Sequence, residues 1–207
     1  MKMNLPNKLT VLRMIMVPVF VVVMMISNAI WADIVGVALF AAASLTDMLD
    51  GKIARKYNLV TDFGKFMDPL ADKFMVIGAM MVILYKNLTA EEPNKLFGIL
   101  FFCALLIVVF RELAVTAMRL VVSGSSGIVV AANMLGKIKT VMQIVFISTV
   151  FIEPAIYAIP GVGNALPTWW VSYPPLSYLT GGLTLIFTVW SGINYFIGMW
   201  KYLDPQK

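Results

Sequence analysis

The chain has no histidine, a single cysteine and few charges, with 13% of its 207 residues being Asp, Glu, Lys or Arg. The absence of histidine removes the commonest general base, the Ser-His-Asp triad, imidazole metal ligands and phosphohistidine intermediates. Cys103 stands alone in an apolar run, which leaves no internal disulfide and no cysteine zinc site. Chemistry here must rest on carboxylates, metal ions, lysine and arginine. A soluble domain carries about a quarter charged residues, whereas 60% of this chain is AVILMFWYC and its mean hydropathy is +0.88. An exterior so poor in charge faces lipid, and a water-soluble fold is excluded. The net charge of +5 would suit nucleic acid, but so apolar a chain offers no platform for base readout or stacking. Membrane lipid is the expected partner, and nucleic acid is not.

Six apolar stretches are each near the roughly 20 residues that cross a hydrocarbon core. They cover approximately residues 9–26, 34–54, 66–85, 96–122, 132–152 and 176–202. The expected fold is all-α, a polytopic membrane protein of six transmembrane helices forming one domain over residues 1–207. The first stretch has the outline of a secretory leader, but Pro6, Asn7, Thr10, Arg13 and Pro18 read as a retained helix with a short surface-lying approach. Fourteen of the sixteen basic residues fall on one side of such a layout, with Lys86 and Lys95 opposite. By the positive-inside rule both termini and the loops after spans two and four are cytoplasmic, while the loop around Trp169 and Trp170 lies outside. The expected location is a bacterial-type cytoplasmic membrane, with the chemistry on its cytoplasmic face.

That face holds Asp47, Asp50, Asp68 and Asp72, near the inner ends of spans two and three. On helices each pair projects from one face within a turn, and antiparallel neighbours can bring the two faces together. The plain alternative is neutralisation by Lys52, Arg55, Lys65 and Lys73. Four unpaired carboxylates at this depth are costly, whereas oxygen-only donors suit Mg²⁺ or Mn²⁺, and two such ions form a phosphoryl-transfer clamp. Ala43, Gly51 and Ala54 share the acidic face of span two, and Gly64 lies one turn before Asp68. These small residues leave room for a ligand or for close helix packing.

The pattern Asp47-x-x-Asp50-Gly51-x-x-Ala54-Arg55, eight residues, Gly64-x-x-x-Asp68-x-x-x-Asp72 resembles the signature of the CDP-alcohol phosphotransferase family, with no departure at any fixed position. The resemblance implies a two-metal site at the cytoplasmic membrane boundary, attack on a CDP-linked donor and release of CMP. It implies that Asp47 and Asp68 bridge two divalent cations, Mg²⁺ or Mn²⁺. Asp50 would serve the first ion, and Asp72 would touch the second and take the acceptor's proton. Gly51, Ala54, Arg55, Thr61 and Gly64 match positions that hold the donor nucleotide, and Asn7 with Thr10 match a segment that closes over cytidine. A homodimer is also implied.

The acceptor is read from the other membrane-buried cations. Arg111 and Arg119 are eight apart on span four, returning to nearly the same helix face, and Lys137 and Lys139 open span five. Arg111 has a local alternative in Glu112, and the lysines in ordinary positive-inside placement. Four cations beside a metal site repel one another unless an anion joins them, and a phosphate on the acceptor is the simple candidate. Within the family the wording is most similar to members that use glycerol 3-phosphate with CDP-diacylglycerol. It lies in residues 4–10 with Arg13, in Arg111-Glu112 with Arg119, and in Gly136-Lys137-x-Lys139-Thr140-x-x-Gln143. Inositol phosphate and phosphatidylglycerol are the nearest alternative acceptors. A cation transporter would need polar residues through the bilayer midplane, and spans one, three, five and six are nearly uncharged there. A scaffold would leave the aspartates unexplained.

Overall fold

The computed structural model describes residues 3–27, 29–57, 59–126, 133–200 and 202. Among these the chain is all-helical: α1 Leu5–Ile26, α2 Ile30–Lys56, α3 Asp62–Leu88, α4 Lys95–Ser126, α5 Met134–Tyr157, a short α6 Thr168–Ser172, and α7 Pro175–Trp200. Five of them, α1, α2, α4, α5 and α7, are long and apolar enough to cross a membrane. The remaining long helix, α3, has 27 residues but carries Asp62, Lys65, Asp68, Asp72 and Lys73 over its first half. That charge is what separates it from the other five.

Helix starts follow local chemistry. The Asn4 side chain accepts from the Asn7 N–H at 3.0 Å and Pro6 occupies the first turn, so α1 begins at Leu5 and no separate surface segment precedes it among the described residues. Thr61 caps α3 through the Gly64 N–H at 3.1 Å, and Asn133 caps α5 through the Gly136 N–H at 2.7 Å. Along α1 the buried face runs Asn7, Thr10, Arg13, Val17, Phe20 and Met24, at spacings of three and four. One stripe is thus polar near its start and apolar beyond.

This stripe lies against both α2 and α3, and each of these packs more extensively on α1 than on the other. Helix α5 lies against α7 and α2, and α4 against α7 and α3. The apolar core joins Val17, Phe20, Met24, Phe40, Met75, Met80, Val108, Phe146 and Phe151. Lys86 pairs with Asp33, tying the end of α3 to the start of α2.

The last long helix corrects the expectation of no polar path through the midplane. Ser177, Thr180, Thr184, Thr188 and Ser191 form a buried hydroxyl stripe along α7. Counting charge alone misses it. Of these hydroxyls, Thr180 donates to the Leu176 carbonyl of its own helix at 2.8 Å, and Thr184 crosses to the Met142 carbonyl of α5 at 2.9 Å.

Candidate active site

The four aspartates converge, but through α1. Arg13 is fully buried, and its Nη1 lies 2.7 Å from Asp47 Oδ1 and 2.8 Å from Asp72 Oδ1, while Nη2 pairs with Asp50. Thr10 Oγ1 donates to Asp68 Oδ1 at 2.7 Å. Asp50 is almost fully buried, whereas the side chains of Asp47 and Asp72 are 39% and 48% exposed, which leaves these two open to solvent or ligand. Among the described residues no three acids are grouped as a ready metal-ligand set; three carboxylates surround a guanidinium. Such a donor set suits a cation, because one positive centre already bridges carboxylate oxygens from α2 and α3. Four carboxylates against one guanidinium also leave an excess of negative charge.

The nearby lysines are occupied elsewhere. Lys65 pairs with Asp62 at 2.9 Å, Lys73 donates to the Pro69 carbonyl at 2.9 Å, and Lys52 is exposed. Among the described side chains the cation paired directly with these aspartates is Arg13, which sequence reading did not assign to the site. A signal was available, since an arginine in an apolar helix, in register with Asn7 and Thr10, requires a buried anion.

The N-terminal turns of α1 fasten to the segment joining α2 and α3. Asn4 Nδ2 donates to the Leu59 carbonyl at 2.9 Å, and Thr61 Oγ1 donates to Asn7 Oδ1 at 2.9 Å. A Cβ on Gly64 would lie 3.3 Å from Asn7 Oδ1 and 3.4 Å from Thr61 Oγ1, so this glycine lets the two segments approach. Asn7, Thr10, Thr61 and Gly64 thus form one neighbourhood. Gly51 and Ala54 are half-buried near the end of α2. The Arg55 side chain lies outside the described residues.

Beside the aspartates opens a cavity of about 570 Å³, lined on one side by Asp68, Asp72 and Lys73 of α3 and on the other by Arg111, Glu112, Arg119, Lys139, Gln143 and Tyr195. Asp47, Asp50 and the nucleotide candidates do not line it. Glu112 accepts from Arg111 Nη1 at 3.3 Å and pairs with Lys139, so one carboxylate holds two of the expected acceptor cations. Arg111 also donates to Ser191 Oγ at 2.5 Å, and a Cβ on Gly192 would lie 3.1 Å from its Cγ. Both Arg111 and Arg119 lie over the Tyr195 ring, at 5.6 and 5.9 Å from its centroid. The Tyr195 hydroxyl accepts from the Asn133 N–H at 2.8 Å, holding the ring against the start of α5. Lys137 is exposed and outside the cavity lining, because two residues on a helix turn through about 200°. Ser191 and Tyr195 are the residues sequence reading missed on this side; Glu112 was named there as the local partner of Arg111, and the structure shows that pair.

Comparison with known proteins places the chain among its relatives. The family model for CDP-alcohol phosphatidyltransferase matches residues 3–190. The chain is 38% identical over 216 aligned residues, 99% of each chain, to the CDP-diacylglycerol--glycerol-3-phosphate 3-phosphatidyltransferase of Bacillus subtilis (strain 168). It is 31% identical over 199 residues, 94% of each chain, to the protein of the same name from Salmonella paratyphi A. Another of that name, from Rickettsia felis, is 38% identical over 145 residues, 70% of this chain and 73% of the relative. From the matched signature and the extent of these alignments, the chain belongs to the CDP-alcohol phosphatidyltransferase family.

Proposed function

We propose that the chain is an integral membrane enzyme that transfers the phosphatidyl group of CDP-diacylglycerol to glycerol 3-phosphate, giving phosphatidylglycerophosphate and CMP. The observation that carries this reading is the shared cavity, where the acids of α3 face the cations of α4 and α5. A reaction between a diphosphate donor and a phosphorylated alcohol needs those two chemistries side by side. The names of the aligned relatives support the same acceptor.

Asp47, Asp50, Asp68 and Asp72 would hold two divalent cations, Mg²⁺ or Mn²⁺. Such ions, when bound, neutralise the diphosphate and make a hydroxyl easier to deprotonate. Asp72, half-exposed and lining the cavity, takes the proton from the acceptor hydroxyl as its oxygen attacks the donor's lipid-bearing phosphorus. The bond from that phosphorus to the bridging oxygen breaks, and CMP leaves. Arg111, Arg119 and Lys139 hold the acceptor phosphate, with Lys137 contributing to the field at the rim. Asn7, Thr10, Gly51, Ala54, Arg55, Thr61 and Gly64 form the nucleotide side.

In the membrane the reading is six crossings, with α3 as the third. Both termini and the site face the cytoplasm of a bacterial-type cell. The side bias of the basic residues supports this, as does the 27-residue length of α3, about 40 Å when helical. A homodimer follows from the family resemblance. The test is CMP release from CDP-diacylglycerol by detergent-purified protein. Release should require both glycerol 3-phosphate and Mg²⁺ or Mn²⁺, and release with inositol phosphate or phosphatidylglycerol in its place would overturn the acceptor.

A further inference from the structure

Arg13 meets three aspartates, and its two amino groups stand in different surroundings. Nη2 meets Asp50, whose side chain is 4% exposed, in a closed pair. Removing one partner from such a pair leaves an uncompensated buried charge, so this contact resists disruption. Nη1 instead bridges Asp47 and Asp72, whose oxygens lie on the exposed side of the cluster. A single nitrogen held between carboxylates of α2 and α3 does what a divalent cation does there. Arg13 Nε is buried without a hydrogen-bond partner among the described residues. The guanidinium is thus incompletely satisfied, which lowers the cost of reorienting it.

We infer that Arg13 is a displaceable resident counter-ion: Nη1 keeps Asp47 and Asp72 together until a divalent cation takes over that bridge, while Nη2 stays on Asp50. The inference rests on the metal-binding reading proposed above. Its physical ground is charge. A guanidinium and a divalent cation cannot share the same two carboxylate oxygens without strong repulsion, whereas an empty cluster of four aspartates would drive α2 and α3 apart. Arg13 therefore acts as a positioning residue, preassembling the acids and setting the metal affinity by competition.

The test uses the full chain in detergent, with thermal unfolding followed in EDTA and in Mn²⁺, and with free Mn²⁺ measured by electron paramagnetic resonance. Without metal, Arg13→Gln should unfold on the order of 5 °C lower than the unsubstituted protein. Removing the competitor should also tighten Mn²⁺ binding on the order of tenfold and enlarge the stabilisation that Mn²⁺ gives. Arg13→Lys, which keeps one charge but not the fork, should change in the same direction by less, and it carries the test if the glutamine variant does not fold. Unchanged Mn²⁺ affinity and unchanged metal-dependent stabilisation in the variants would overturn the inference while leaving the metal reading intact. No Mn²⁺ binding by the unsubstituted protein would overturn both. A crystal structure with Mn²⁺ should show Nη1 away from Asp47 and Asp72; Nη1 still bridging both beside bound ions would also overturn it.

Discussion

Buried acids occur at two ends of the bundle, and their partners differ in kind. Glu153 lies fourteen residues beyond Lys139 on α5, about 21 Å along the helix. Its Oε1 accepts from the Tyr157 hydroxyl at 2.6 Å and the Leu176 N–H at 3.1 Å, and its Oε2 from the Ser177 N–H at 2.7 Å and hydroxyl at 2.6 Å. The carboxylate caps the N-terminus of α7, where unpaired N–H groups and the helix dipole favour negative charge. Trp170 Nε1 donates to Tyr157 at 2.8 Å and extends the network to the loop. One charge meets four donors there. At the aspartate end, four carboxylates share one guanidinium, one hydroxyl and the Gly51 N–H on Asp50, and two of the carboxylates are open to the outside. Burial therefore does not separate the two ends; unfilled acceptor capacity does.

The contrast predicts effects that fall from the aspartate end to the capped end. Asp72→Asn should lower turnover about 10²- to 10⁴-fold, the range of a lost general base, while CDP-diacylglycerol binding persists. A normal single-turnover rate would remove Asp72 from its role. Arg119→Ala should raise the KM for glycerol 3-phosphate about tenfold, as expected for a lost charged hydrogen bond, with the donor KM little changed. Equal changes in both constants would make it a structural residue. Glu153→Ala should leave both KM values unchanged but lower the unfolding temperature by about 5 °C, since the cap loses its acceptor. Lost activity in a fully folded variant would break the distinction between the two ends. The smallest effect is expected from Gly64→Ala, whose Cβ presses on Asn7 and Thr61; a rise of about threefold in the donor KM alone would sharpen the nucleotide side.

Much of the fold is legible in the amino-acid sequence. Apolar runs locate every long helix to within a few residues, and the aspartate spacing locates the acidic cluster. The uncharged interval between Lys73 and Lys86 is only twelve residues, too short for a span low in charge, which is why five helices rather than six meet the requirements for crossing a membrane. Lys137 and Lys139 look alike as acceptor cations, yet the helical period sets them on different faces; Lys139 lines the cavity and Lys137 is exposed. The partners of Arg13 are harder to read. Asn7, Thr10 and Arg13 share a visible register, but meeting Asp68, Asp47, Asp50 and Asp72 requires α1 to lie against both α2 and α3. The hydroxyl stripe of α7 is similarly silent, because a serine or threonine in an apolar run shows neither its burial nor its acceptor.

Composition and local spacing were enough to point to lipid as the solvent, to helices as the building unit and to a cluster of carboxylates. These follow from transfer energies and the helical repeat, which act over one or two turns. Packing alone settled which distant group meets which acid: Arg13 on three aspartates, Lys139 on Glu112, and the start of α7 on Glu153. Such pairings depend on the rotation and stagger of whole helices, set by burial between residues 34 to 59 positions apart in the case of Arg13, and no local rule carries that information.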